Sequence, residues 1–293
     1  MADHTKDKYQ SGSEGRLTKG KEKRKLIPRS AHGDWAPSSD RPDPISLLQA
    51  EDAGRLQHLL PIKYGRMIES PFAFLRGSAV VMAADLAGTP ITGLDTQLCG
   101  DAHLANFGVF ATPERQLVFE VNDFNETYPG PWEWDLKRLA ASAVVAGRDN
   151  GFSEKDNREA AEGVVEAYAK AMKRLSEATA LEAWYYHIKV DDVQKVLAKA
   201  SKEGKKSARK MVHKARTKTQ EQTLEKLTTV EDGRRRIVSN PPLLVPLREL
   251  LSEEEKEHFT GERIRKDWGE YVDSLPPERR RLIRRYHATD MAL

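Results

Sequence analysis

The sequence predicts an α+β protein, mainly helical, with one small sheet. Three observations carry that reading. The β-favouring runs are short and confined to one stretch, Gln97 to Val121. From Ser153 onward the chain reads almost wholly as helix. The composition, 39% apolar and 32% charged over 293 residues, suits a soluble, helix-rich chain.

Residues 1–41 are polar, rich in Gly, Ser, Lys and Arg, and lack apolar periodicity. They are expected to form a flexible basic tail. The run Lys19 to Lys25 reads either as a solvated face or as a surface for nucleic acid or anionic lipid. The folded domain is expected to occupy 42–293. Pro42 to Ile45 leads into a helix, with Asp43 as its cap before Pro44. Ser70 before Pro71 marks another helix start, and Ser78 to Leu86 continues as an apolar helical run. Arg66 and Arg76 lie among aromatics and glycines. They suit phosphate through the guanidinium fork or, alternatively, a salt bridge to Asp85 or Glu69.

The stretch from Leu98 to Arg138 carries the chemistry. Gln97 to Cys99 and Phe107 to Phe110 flank the loop Gly100 to Asn106, and Leu117 to Val121 forms a third apolar run. A turn signal at Ala111 to Arg115 separates the last two. One small sheet would bring Asp101, Asn106 and Asp123 to a shared edge, with Glu126 close by. Two carboxylates and an amide oxygen suit a hard divalent cation such as Mg²⁺, with phosphate oxygens completing the shell. The plainer alternative is that these acids only cap strands and helices. Trp132 to Ala146 is expected to be a helix with Leu136, Leu139, Ala140 and Val144 on its apolar face. Lys137 and Arg138 on it either reach substrate phosphate or are simply solvated. Ser153-Glu-Lys-Asp reads as a capping box or near it, ahead of a helix over Ala160 to Leu175, and Val190 to Ala200 forms another. Ser201 to Leu227 opens strongly basic, Asn240-Pro-Pro breaks the pattern, and Glu253 to Leu275 resumes it.

Asp101-Ala-His-Leu-Ala-Asn106 followed by Val121-Asn-Asp123-Phe resembles the Asp-x-x-x-x-Asn loop and metal-binding Asp of protein-kinase-like phosphotransferases. The aminoglycoside and choline kinase branch is nearer, through Gly100, Asp101, His103, Asn106, Gly130-Pro131 and Asp135-Leu136. Cys99 stands where that branch has a His. The whole chain from about Pro28 resembles an uncharacterised bacterial family, domain of unknown function 2252. The blocks that carry this are PRSAHGDW, RPDPISLL, PIKYGRM, SPFAFLRG, GDAHLANFG and PGPWEWDLKRLAAS. Asn125 departs from that family's usual Asp.

The resemblance implies a kinase-like lobe using ATP and Mg²⁺. Asp101 would orient the acceptor hydroxyl or take its proton, and His103 would position the loop or share the proton transfer. Asn106 and Asp123 would hold metal, Asp135 would brace the loop, and Arg66, Arg76 and Lys137 would contact the nucleotide. The partners implied are a nucleotide and an unidentified phosphoryl acceptor. The chain has no G-x-G-x-x-G and no Val-Ala-x-Lys pattern, so the small lobe reads as incomplete. Relatives are expected to continue past His287 to Leu293 with a Gly-rich stretch and a Lys-bearing strand. Two other classes compete. A non-catalytic kinase-like scaffold fits the missing lysine. A metal-dependent phosphoesterase fits Gly-Asp-x-His, but Leu104 and the scarcity of later histidines weigh against it.

Composition excludes other classes. A net charge of +3, from 48 basic and 45 acidic residues, argues against a dedicated nucleic-acid protein. The single cysteine, Cys99, excludes an internal disulfide and a cysteine zinc cluster. No run reaches membrane-span length and the N-terminus lacks a signal-peptide core, so the cytoplasm is the default compartment.

Overall fold

The computed structural model describes residues 13–114, 116–200, 206, 210, 213, 220–250, 264–286 and 289–292. It is α+β and mostly helical, with three small antiparallel sheets among the described residues. The chain divides into two compact units, Met1–Ala215 and Arg216–Leu293.

The first described element of the first unit is helix α1 (Ser13–Leu26), within the stretch expected to form a flexible basic tail. Its Lys, Glu, Arg and Leu residues are good helix formers. Lys23 also anchors it, donating through Nζ to the carbonyl of Thr92 at 2.7 Å. Helix α2 (Pro44–Asp52) is capped by Asp43, whose carboxylate accepts from Ser46 N at 2.8 Å. Helices α3 (Leu60–Met67), α4 (Pro71–Arg76) and α5 (Ala79–Ala87) follow. Leu48, Met67 and Val81, one from each of α2, α3 and α5, make a buried core, with Leu47, Tyr64 and Val80 packed on it. Ser70 caps α4 by accepting from Ala73 N at 3.1 Å. Its hydroxyl also donates to Asp149. Gly77 separates α4 from α5, and a Cβ there would meet Met67 Cγ at 2.6 Å.

The strands do not form the single sheet expected from the sequence. Strand β1 (Asp95–Leu98) pairs with β4 (Tyr128–Pro131), register Leu98 to Tyr128 and Asp95 to Pro131. Pro129 and Pro131 lack an N–H, which suits a short edge ribbon. Strands β2 (Phe107–Ala111) and β3 (Leu117–Val121) form a hairpin, and β5 (Ile188–Lys189) joins β3. The loop Cys99 to Asn106 therefore bridges two separate sheets.

Helix α6 (Glu133–Asp149) packs along α7 (Glu154–Glu177) through a tight turn at Asn150-Gly151. A Cβ at Gly147 would lie 1.9 Å from Asn157 Oδ1, so the close approach of the two helices needs glycine there. Trp132 stacks on Tyr168, with ring centroids 5.6 Å apart, so it serves as a packing anchor. Helix α7 starts at Glu154, earlier than the sequence suggested, because Ser153 caps it by accepting from Asp156 N at 3.2 Å. Helices α8 (Ala180–Trp184) and α9 (Val190–Ala200) complete the unit, with Val118 and Val190 buried.

In the second unit, helix α10 (Gln220–Leu227) leads into the hairpin β6 (Thr228–Glu231) and β7 (Arg234–Ile237). Asp232 and Gly233 both have positive φ, 50° and 71°, as a two-residue hairpin turn requires. Helices α11 (Leu247–Leu250), α12 (Ile264–Ser274) and α13 (Pro277–Ile283) follow. Asp290 ties the end of the chain to β7 by accepting from Ile237 N at 2.8 Å. Most of the basic run expected over Ser201–Leu227, and the first part of Glu253–Leu275, lie outside the described residues.

Candidate functional site

The centre of the first unit is the loop Cys99 to Asn106, held from below by α6. Residues 135, 138 and 142 recur at i, i+3 and i+7, so they share one face of that helix. Each binds the loop. Asp135 accepts from Cys99 N at 2.7 Å and from Gly100 N at 3.0 Å, one on each carboxylate oxygen. Ser142 Oγ accepts from Leu104 N at 3.1 Å. Arg138, only 3% exposed, donates from Nε to Asp101 Oδ1 at 2.6 Å and from Nη2 to the same oxygen. Its Nη2 also donates to the Leu75 carbonyl at 2.7 Å, which links the end of α4 to Asp101.

His103 completes the hold on Asp101. Its Nδ1 accepts from Ala105 N at 3.1 Å, so the ring proton of the neutral imidazole sits on Nε2. Nε2 faces Asp101 Oδ2 at 3.3 Å. The ring is buried, edge-on to Phe72 with centroids 6.2 Å apart. Burial pushes the Asp101 carboxyl up, but the His103 hydrogen bond and the Arg138 guanidinium outweigh it. The carboxyl is held below its ordinary range. Asp135 goes the other way: burial raises it, and its two backbone N–H bonds offset only part of that.

The second loop, Asn122 to Thr127, is stitched to the first. The buried Asn106 amide donates from Nδ2 to the carbonyls of Asp101 and Asp123, each at 3.1 Å. Both carbonyls lie on the nitrogen side, which fixes the amide orientation and leaves Oδ1 facing away from them. The Cys99 thiol donates to the Asp123 carbonyl at 3.6 Å and lies 3.5 Å from Asn106 Nδ2. Burial raises the thiol pKa, and the nearby Asp135, Asp101 and Glu126 carboxylates add to the effect, so it stays protonated. Gly100 has φ +82°, and a Cβ there would sit 2.1 Å from the Glu126 carbonyl. Only glycine lets the loops approach this closely.

The Asp123 side chain is exposed and, among the described residues, accepts only a local bond from Asn125 N, at 3.2 Å. Asn125 Nδ2 donates to Glu126 Oε1 at 3.1 Å. Burial raises the Glu126 carboxyl, and repulsion from Asp101, Asp123 and Glu51 raises it further against the pull of Arg55.

The structure therefore links the segments that carry Asp101, His103, Asn106, Asp123 and Asp135, with Asp123 joined through its main-chain carbonyl. Lys137 is not gathered with them. It lies two residues from Asp135, about 200° around the helix, and donates to Thr89 Oγ1 at 3.0 Å. Burial lowers its pKa, with Glu133 opposing. Arg66 and Arg76 are exposed on α3 and α4, and neither forms an ion pair among the described residues. Asp85, one alternative partner for them, is instead held by Arg41 at 2.6 and 2.9 Å. From sequence alone Arg138 reads as a solvated or phosphate-facing charge. It is the buried partner of Asp101, and its spacing of three from Asp135 is the signal that places it there.

Among the described residues no three His, Cys, Asp or Glu side chains converge to cage a metal ion, and no helix is long and apolar enough to cross a membrane. The site is thus a pair of short loops joined by an asparagine amide and braced by one helix. The chain that carries it belongs to the family described as an uncharacterized protein conserved in bacteria (DUF2252), whose model matches residues 55–293. No curated protein and no solved structure matches it.

Proposed function

We propose that this protein is an ATP- and Mg²⁺-dependent phosphotransferase of the kinase-like type, acting on a hydroxyl of a small molecule or a protein. The observation that carries the reading is the Asn106 amide. By bonding the main chains of Asp101 and Asp123 through Nδ2 it ties the loop of the exposed Asp123 carboxylate to the Asp101 loop, and its own Oδ1 is turned away from those two carbonyls. The amide and carboxylate oxygens are hard donors. They are too few for a closed cage, and they fit a cation that keeps waters and takes phosphate oxygens, as Mg²⁺ does. Asp123 and Asn106 would hold it, and when bound it supplies neutralisation of phosphate charge.

Asp101 has a narrower role than a free base. Oδ1 takes two contacts from Arg138 and Oδ2 takes one from His103, which leaves one acceptor position, on Oδ2. A substrate hydroxyl bonded there is oriented by a carboxylate whose geometry is locked. His103 and Arg138 position Asp101, and Asp135 braces the loop. Arg66 and Arg76 are available to nucleotide phosphates, while Lys137 would first have to leave Thr89.

A second reading, a non-catalytic binding protein of the same class, is favoured by the tight hold on Asp101 and its low pKa. Calorimetric titration of ATP with and without Mg²⁺ separates the two. The phosphotransferase reading expects ATP binding that depends on Mg²⁺. Binding of neither nucleotide nor Mg²⁺ would leave the scaffold, and phosphate release without any acceptor would point to a hydrolase.

A further inference from the structure

The second unit carries a cluster of arginines that the phosphotransferase reading does not use. Arg234 and Arg236 alternate along β7, so they share one face of the hairpin, while Arg235 lies on the other and donates to Thr228 Oγ1 at 3.1 Å. Arg234 and Arg236, with Arg248, Glu231 and Asp232, line a cavity of about 430 Å³. That lies within the roughly 300–1,000 Å³ range of small-molecule sites.

Arg248 is already committed. Its Nη1 donates to Asp290 Oδ2 at 2.5 Å and its Nη2 to the Ile237 carbonyl at 2.9 Å. It forms a fixed wall whose charge Asp290 balances. Arg234 and Arg236 differ. Among the described residues neither forms an ion pair, although Glu231 stands directly opposite Arg234 in the hairpin register. Arg234 and Arg236 share one wall, Asp290 feels the charge of Arg236 as well as that of Arg248, and an oxyanion between Arg234 and Arg236 would fill both guanidinium forks. Glu231 and Asp232 on the turn set the selectivity. Their charge disfavours an extended polyanion such as nucleic acid and suits a compact ligand with a hydroxyl or ammonium group beside its oxyanion.

We propose that this cavity binds a small oxyanion-bearing molecule, a phosphate ester or a polycarboxylate, clamped by Arg234 and Arg236. The site lies within the second unit and does not depend on the chemistry proposed for the first. The test is calorimetric titration of the full chain at low salt without Mg²⁺, with pyrophosphate and citrate in separate arms. The expected result is saturable binding of at least one ligand. The Arg234→Gln/Arg236→Gln double variant should weaken it by about tenfold or more, the scale of lost charge-assisted bonds, with an unchanged melting temperature. Binding of pyrophosphate alone assigns a phosphate ester, and of citrate alone a carboxylate. Arg235→Gln, on the opposite face, should bind as wild type does. Failure of both ligands to saturate would overturn the proposal. So would an equal loss in Arg235→Gln, which would reveal diffuse charge.

Discussion

Asp101 and Asp123 stand on the two loops that Asn106 joins, yet their surroundings are opposite. The Asp101 side chain is 15% exposed, pinned by Arg138 on one oxygen and His103 on the other. The Asp123 side chain is exposed and, among the described residues, bonded only to its own loop. A buried carboxylate is tolerable only with its partners in place, so Asp101 commits Arg138, His103 and, through Leu75, helix α4 to one geometry. An exposed carboxylate makes no such demand and stays available to a ligand. The difference teaches which of two superficially similar acids the fold depends on and which it merely presents.

The largest expected effect comes from breaking the buried pair. Arg138→Met leaves Asp101 without its guanidinium and should cost about 3–5 kcal/mol in urea unfolding, the usual scale for stranding a buried charge. Adding Asp101→Asn removes that stranded charge, so the double variant should lose less than the two single losses combined. Strict additivity would mean that the pair is not coupled and that the comparison is wrong.

Next is the brace. Asp135→Ala leaves the N–H groups of Cys99 and Gly100 without their carboxylate, at a cost of about 2–3 kcal/mol. Gly100→Ala should also destabilise, because its Cβ would collide with the Glu126 backbone rather than with a movable side chain. Wild-type stability in either variant, read from the same unfolding curves, would show that the loop is held by something else.

A smaller effect, of opposite sign for the two loops, follows from pH. Asp101 has a lowered folded pKa, so its contribution is present above the unfolded value and is lost as pH falls through the folded one. Glu126 has a raised folded pKa, so its contribution is full below the unfolded value and is lost as pH rises through the folded one. At neutral pH, Asp101→Asn should therefore lower the melting temperature and Glu126→Gln should raise it. The Glu126→Gln gain should vanish in acid. Equal responses in the two variants would erase the distinction between the loops. Smallest of all, Asp123→Asn should leave the melting temperature at the wild-type value.

Much of this arrangement was legible in the sequence. Asp43, Ser70 and Ser153 announced helix starts by their position before a Pro or an acidic first turn, and each caps its helix through its side chain. The spacing of Asp101, Asn106 and Asp123 predicts a shared sheet edge, whereas their segments lie on two loops joined by the Asn106 amide. What escaped depended on tertiary partners. Pro129-Gly130-Pro131 reads as a turn, yet it is the strand that draws β1 out of the expected single sheet. Arg138 reads as a surface charge until the Asp101 loop is laid on its helix face. The β6–β7 hairpin was missed although Asp232-Gly233 is a strong turn signal, because its flanks carry charges where an alternating apolar pattern would have marked strands.

The most direct test of the central claim is Mg²⁺-dependent ATP affinity measured by calorimetry on Asp101→Asn and Asp123→Asn side by side. The account predicts a split: Asp123→Asn requires far more Mg²⁺ to bind ATP at an unchanged melting temperature, while Asp101→Asn, where it remains folded, keeps nearly wild-type affinity. Loss of binding in Asp101→Asn with wild-type binding in Asp123→Asn would contradict it.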